Sequence, residues 1–254
     1  MGNILIMRNI FKINIFTYLF FLLYILSGFY KDIIIIYFIL FVHELGHYFM
    51  MKYYNIDVNS ITFYPYGGMI KSNMLVNTNS FKVLIISLGG IFSQIVVLIV
   101  FFLLYKFNII YFNIYNIFVR YNFYIILFNL LPMYPLDGFK IFGSLLELFI
   151  SFKKSIFFSL IINVLCLIMF LFYLYIYDIN NYVIIVFLLV SMFNFIREMK
   201  FILNKFYLER IIYEIEYNGM ISVNSLDDIY KNKFNYIKTI GEYEFLKDKY
   251  KYLL

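Results

Sequence analysis

The two histidines of this chain lie four residues apart and enclose a glutamate, in the segment His43-Glu44-Leu45-Gly46-His47. On a helix this spacing puts both imidazoles about one turn apart on one face, where both can reach one metal ion. Glu44 is then close enough to contact water activated by that ion without being a ligand. Zinc lowers the pKa of a water that it binds to about 7, and a neighbouring carboxylate can accept the proton. The pattern predicts a hydrolytic zinc site.

A catalytic zinc ion usually has three protein ligands and one open position, so a third ligand is needed. The best candidate is Asp137, in the segment 129–138, N-L-L-P-M-Y-P-L-D-G. Pro132 and Pro135 remove backbone donors and break a helix there. Such irregular backbone is tolerated at membrane depth where it is buried in protein or lines a cavity. An ordinary turn with Asp137 as a helix cap is the alternative, and spacing alone does not separate the two.

The composition indicates which elements must position these groups. Of 254 residues, 64% are hydrophobic and 14% charged, against about 45–50% and 25% in soluble domains. A single soluble core cannot hide that much apolar surface, and a disordered chain is excluded by the same numbers. The one cysteine, Cys166, excludes a disulfide framework and a multi-cysteine metal cluster, and we interpret it as a buried core thiol. These features predict a polytopic membrane protein.

Charge divides the chain into a membrane domain, residues 1–200, and a small polar tail, residues 201–254. Residues 1–196 hold 11 Lys/Arg and 6 Asp/Glu, whereas the last 58 residues hold 10 and 9. A span needs about 20 mostly apolar residues. Suitable segments are 13–29, 33–51, 84–105, 119–131, 156–177 and 182–196. We predict an all-α fold of six transmembrane helices, with five as the fallback, and a short hairpin or re-entrant loop at 61–72 after the second helix.

The positive-inside rule predicts the orientation. If the N-terminus faces the cytoplasm, the inner segments of the membrane domain contain most of its basic residues: Arg8, Lys12, Lys52, Lys71, Lys82, Lys140, Lys153 and Lys154. The outer loops then hold only Lys31, Lys106 and Arg120. Both termini of this multi-pass integral membrane protein are therefore expected in the cytoplasm, which agrees with an even number of spans.

The two motifs together resemble the site-2 protease (M50) family of intramembrane zinc metalloproteases. The likeness covers residues 1–200 and is greatest to a sporulation branch that processes a sigma-factor precursor. It implies that His43, His47 and Asp137 bind Zn²⁺ and that Glu44 is the catalytic acid/base. It also implies a catalytic role for Asn129, which matches the family's asparagine that helps to hold substrate or the developing oxyanion.

The tail departs from this family branch, whose members carry a cytoplasmic cystathionine-β-synthase-type domain that senses nucleotides. The segment 206–210 resembles the linker into that domain, and 221–223 its first strand, but only about 30 residues follow. We interpret residues 201–254 as a truncated or degenerate module of this kind. A solvated interaction tail is the alternative.

The expected function is hydrolysis of a peptide bond in a membrane-associated substrate, near the cytoplasmic leaflet and with Zn²⁺ as cofactor. By resemblance the substrate is a sigma-factor precursor, and the other expected partners are the lipid bilayer and membrane proteins that inhibit the enzyme. No direct binding of nucleic acid is expected. The alternatives are an intramembrane metal transporter, although neither motif is repeated as transporter architecture favours, and a catalytically inactive membrane scaffold.

Overall fold

The computed structural model describes residues 10–65, 67–176, 182–237 and 240–250. Its helices are α1 (Ile15–Leu26), α2 (Tyr30–Tyr53), α3 (Ser80–Lys106), α4 (Phe112–Leu130), α5 (Asp137–Phe149), α6 (Phe152–Ile176), α7 (Tyr182–Ile212) and α8 (Glu242–Lys249). Its strands are β1 (Phe11–Ile13), β2 (Val58–Tyr64), β3 (Gly67–Ser72), β4 (Met220–Val223), β5 (Phe234–Ile237) and β6 (Ile240–Gly241). The protein is mostly helical, as predicted, but two three-stranded sheets correct the all-α class.

Three of the described helical segments are long and apolar enough to cross a membrane: Tyr30–Tyr53, Ser80–Lys106 and Phe152–Leu174. They coincide with the second, third and fifth predicted spans. The helices α1, α4 and α7 overlap the other three predicted spans, but α1 has only 12 residues, α4 begins before its predicted span and α7 continues well beyond its own. The membrane character of the protein is therefore supported by its helices, and the count of six spans stays a prediction.

The chain forms two compact units, of which the first comprises Met1–Met74 and Ile85–Asn129. In this unit β2 and β3 form an antiparallel hairpin, and β1 pairs in parallel with the other edge of β2. The hairpin includes residues 61–72, where the sequence predicted a hairpin or re-entrant loop; its position in a bilayer stays a prediction. Buried side chains join the hairpin to the end of α2 and the start of α3: Met51, Val58, Ile61, Phe63 and Ile86.

Close contact between α2 and α3 depends on glycine. A Cβ atom on Gly46 would collide with the carbonyl oxygen of Gly89, and one on Gly89 would meet the side chain of Met50 at 2.7 Å. Small residues let two membrane helices approach each other closely. This approach brings the histidine-bearing segment of α2 against the main chain of α3.

The second unit comprises Leu75–Leu84 and Leu130–Leu254. Strand β4 pairs in parallel with β5, and β5 pairs antiparallel with β6. Nine buried side chains from α6, α7, α8, this sheet and the segment between β4 and β5 form one core: Phe152, Ile156, Phe195, Phe206, Tyr207, Val223, Ile229, Ile237 and Leu246. The predicted domain boundary after residue 200 falls inside α7 and stays a prediction.

Cys166 lies on α6 and is only partly buried. The structure thus corrects the interpretation of this residue as a core thiol. Its neighbours on the same helix explain the difference, because Leu165 and Ile168 are each more than half exposed, as expected for a surface that faces lipid. The described part of α6 buries only one of its faces, and Cys166 lies at the margin of that face.

Candidate metal centre

The middle of α2 buries His43, Glu44 and His47, whose exposed fractions are 3%, 6% and 6%. The helix is continuous from Tyr30 to Tyr53, so the spacing of four residues stacks the two imidazoles on one face. Their ring centroids lie 4.6 Å apart at an interplanar angle of 88°. The two Nε2 atoms are 3.1 Å apart, which shows that both rings direct the same atom to the same place.

The tautomer of each imidazole follows from the partner of its Nδ1 atom. His47 Nδ1 lies 2.8 Å from the carbonyl oxygen of Ile86, and because a carbonyl only accepts, Nδ1 must carry the proton. His43 Nδ1 donates in the same way to Gln94 Oε1, at 3.0 Å. The amide of Gln94 is oriented by its own donation from Nε2 to Asn122 Oδ1, at 3.4 Å. Hydrogen bonds of this type fix the orientation of metal-binding histidines.

In these two tautomers Nε2 of His43 and Nε2 of His47 are the unprotonated nitrogens, and the two atoms lie 3.1 Å apart in a buried place. A cation can accept the lone pair of each nitrogen. Neutral imidazole nitrogen is a preferred ligand of zinc. The donor set on α2 therefore fits a zinc ion.

Gly90 on α3 keeps the space beside these two nitrogens open. A Cβ atom built on Gly90 would lie 2.6 Å from His47 Nε2 and 2.6 Å from His43 Cε1. Any larger residue at this position would collide with both imidazole rings. The absence of a side chain at Gly90 therefore allows α3 to approach both imidazoles.

Glu44 lies under the main chain of strand β3. A Cβ atom on Gly68 would collide with the Glu44 carboxyl group, so β3 passes directly over the carboxylate. None of the described residues donates a hydrogen bond to this carboxylate or pairs with it. A nearly buried acid of this kind is available to accept a proton from water.

Asp137 lies in the second unit, as the first residue of α5, and is 5% exposed. Leu136 occupies the N-cap position and makes no capping hydrogen bond through its side chain, so Asp137 is not the N-cap residue of this helix. The chain doubles back tightly here, since a Cβ atom on Gly138 would collide with the carbonyl oxygens of Leu130 and Leu131. Lys140 Nζ lies 3.2 Å from Asp137 Oδ1. The break after α4 therefore presents a buried carboxylate, as the prolines predicted.

One group of three described residues could hold a metal ion, and it consists of His43, His47 and Asp137. These are the residues that the sequence predicted as zinc ligands. The position of Asn129 is less informative, because its Nδ2 donates to the carbonyl oxygen of Ile125 in its own helix, at 3.1 Å. A role for Asn129 toward substrate or oxyanion stays a prediction.

Sequence reasoning missed Gln94, Gly68, Gly90 and the carbonyl of Ile86. Gln94 had a signal, since it is a lone amide within the apolar run 84–105, and polar residues inside a span are usually functional. No local sequence feature predicts the contacts that Gly68, Gly90 and the carbonyl of Ile86 make at the site, because these contacts join distant segments.

Comparisons with known proteins agree with this geometry. Peptidase family M50 matches residues 32–111, which include His43, Glu44 and His47. Stage IV sporulation protein FB of Bacillus subtilis is 27% identical over 234 residues, covering 87% of this chain and 80% of that protein. The predicted resemblance to the M50 family is confirmed. The structure of the Site-2 Protease from Methanocaldococcus jannaschii is also similar in fold, with a TM-score of 0.54, 23% identity and coverage of 72% of this chain and 87% of that one.

Gln94 is expected to act on the metal through His43, as outer partners of metal-binding histidines do in other metalloproteins. Replacing Gln94 with leucine removes the acceptor of His43 Nδ1 and should weaken zinc binding by about 10–100-fold. Competition with a chelator of known affinity measures the change on purified protein. The variant Gln94→Glu retains an acceptor oxygen and serves as the control. Equal affinity of wild type and Gln94→Leu would show that the hydrogen bond does not matter.

Proposed function

We propose that this chain is a zinc-dependent intramembrane endopeptidase that cleaves a membrane-associated protein. The observation that carries the proposal is the pair of Nε2 atoms on His43 and His47, 3.1 Å apart, beside a carboxylate that is not one of the predicted ligands. A purely structural metal site has no use for this extra buried acid. The match to a peptidase family over residues 32–111 supports the same conclusion.

His43, His47 and Asp137 would hold the zinc ion, with the two imidazoles kept in the correct tautomer by Gln94 and by the carbonyl of Ile86. When bound, zinc supplies a Lewis acid that polarises a carbonyl and makes water more acidic. Glu44 accepts the proton of the attacking water and then passes it to the leaving amine. The carboxylate can do both because the described residues leave its oxygens without a donor.

Strand β3 offers a place for the substrate. It lies at the edge of the described sheet β1-β2-β3, and its Gly68 is in contact range of the Glu44 carboxyl. An extended peptide that adds to this edge would pass close to the carboxylate. A substrate helix must first unwind locally, since its own hydrogen bonds shield the carbonyl groups.

The depth of the site follows from helix geometry. His47 is six residues and His43 ten residues before the end of α2 at Tyr53, which corresponds to roughly 9 Å and 15 Å along the axis. With six spans and both termini in the cytoplasm, as the charges predict, this end of α2 is cytoplasmic. Cleavage would therefore occur near the cytoplasmic leaflet, with water entering from that side.

The natural substrate and partners are proposed from the family likeness. The Bacillus relative is a sporulation protein by name, and we propose a sigma-factor precursor as the substrate of this chain. Membrane proteins that inhibit the enzyme would act from the bilayer, and direct binding of nucleic acid is not part of the proposed function.

The test uses purified full-length protein in proteoliposomes with a tethered substrate. We expect about one zinc ion per chain, loss of cleavage after chelation, and recovery when zinc is added back. Zinc flux into sealed vesicles is measured in parallel. Flux without cleavage would instead indicate a transporter, and bound zinc with neither activity would indicate a scaffold.

A further inference from the structure

A row of buried polar side chains runs along the first half of α6. Its members are spaced by four residues: Ser151, just before the helix, then Ser155, Ser159 and Asn163. Each of the four is at most 2% exposed. Residues four apart lie on one helix face, so these side chains form a single polar seam, which we call the α6 seam. It lies in one of the three helices that are apolar and long enough to cross a membrane.

Three of the four residues of this seam lack hydrogen bonds that their chemistry requires. Ser155 Oγ donates to the carbonyl oxygen of Phe152, at 2.7 Å. Within the described residues, Ser151 Oγ, Ser159 Oγ and both amide atoms of Asn163 are buried without a partner. An asparagine amide has two donor hydrogens and an acceptor oxygen. Burying all of them unpaired in an apolar span is strongly unfavourable.

The burial of Asn163 limits what can satisfy it. Because Asn163 is only 1% exposed, its amide is inaccessible to a lipid headgroup, to a helix of another protein and to a substrate peptide. Hydrocarbon offers no hydrogen bonds. The partner must be small and must both donate and accept, and water meets these conditions.

Gly143 of α5 lies beside Ser159. A Cβ atom built on Gly143 of α5 would meet Ser159 Oγ at 3.4 Å and no other described atom within 4 Å. The helices α5 and α6 pack on each other within the same unit, and a glycine at this point leaves the room that a larger side chain would fill.

We propose that Ser159 and Asn163 bind ordered water molecules at the interface of α5 and α6. Asn163 is 11 residues beyond the start of α6 at Phe152, so this water lies roughly 16 Å along the helix. The two helices are then joined by water-mediated hydrogen bonds as well as by apolar packing. This inference is independent of the proposed peptidase activity.

Radiolytic hydroxyl labelling of the full-length protein in lipid nanodiscs tests for this water. Cys166 lies three residues after Asn163, on a neighbouring part of the same face, and is the chain's only cysteine. Met169 is 71% exposed on the surface expected to face lipid and provides an internal reference. We expect oxygen from labelled water to be incorporated at Cys166, and the rate is expressed relative to that of Met169 in the same sample.

Two variants sharpen the test. Asn163→Leu replaces the amide by an apolar group with the same number of heavy atoms, and Ser159→Ala is a milder change that adds no volume; both should lower the rate at Cys166 several-fold and lower Tm. Ile168→Leu, on the exposed face, is the control and should change neither. An unchanged Cys166 rate in both variants, or a rise in Tm with Asn163→Leu, would overturn the proposal, because removing an unsatisfied amide from a dry interface is stabilising.

Discussion

Replacing Glu44 with glutamine is expected to abolish detectable peptide hydrolysis while zinc stays bound. Glutamine has nearly the same shape and fits under β3 beside Gly68, but its amide cannot accept the proton of the attacking water. General acid–base catalysis contributes about 10²–10⁴-fold to a rate, so kcat should fall by that amount. The Nε2 atoms of His43 and His47, held 3.1 Å apart, do not depend on this carboxylate and should keep their metal.

The measurement compares cleavage of a tethered substrate with the zinc content of the same preparation. Asp57→Asn is the matched control, because it neutralises an acid of the same unit whose side chain is 79% exposed. It should retain full activity. Glu44→Gln with wild-type activity would contradict the proposed mechanism, whereas loss of zinc from this variant would make Glu44 a ligand.

Replacing Arg210 with methionine is expected to destabilise the second unit severely. The Arg210 side chain is fully buried and its Nη1 lies 2.6 Å from Glu242 Oε2. Its other nitrogens donate to Asn77 Oδ1 and to the carbonyl oxygens of Tyr230 and Lys231. Removing one partner of a buried ion pair leaves the other charge unpaired and costs about 3–5 kcal/mol of unfolding free energy.

Chemical unfolding in mild detergent, followed by tyrosine fluorescence, measures this loss. Lys153→Met is the control, because Lys153 and its partner Asp227 are 46% and 61% exposed; such surface pairs contribute about 0–1 kcal/mol. The double variant Arg210→Met with Glu242→Leu should regain much of the stability, since it leaves no charge of this pair buried. Equal losses in Lys153→Met and Arg210→Met would show that the network is not what holds this unit together.

Local sequence was sufficient for the part of the site that lies on one helix. His43 and His47 share a face because the period of a helix requires it, and neither needs a contact from elsewhere to do so. Pro132 and Pro135 predicted the break that presents Asp137 for the same reason, since proline ends a helix through its own ring. The spans at α2, α3 and α6 followed from apolar length alone.

The strands were harder to predict. The hairpin around β2 and β3 had a local signal, in its partly alternating residues and glycines, and the family resemblance implied a strand at 221–223, which lies in β4. The strands β1 and β6 have three and two residues, too few to show a period, and each exists because a longer strand beside it offers hydrogen bonds. In the tail, mixed charge suggested solvent exposure, yet Arg210 and Glu242 are buried because they neutralise each other.

The sequence by itself determined the chemistry of this protein: two imidazoles and an acid at helical spacing in an apolar segment, and a second acid after a proline break. Only the tertiary structure decided the tautomers, the orientation and the surroundings of those groups. Gln94 lies 51 residues from His43, the acceptor of His47 is a main-chain carbonyl that any residue could supply, and Gly68 and Gly90 matter for the side chains that they lack. Contacts of this kind form only when distant segments pack together, so a local sequence pattern cannot predict them.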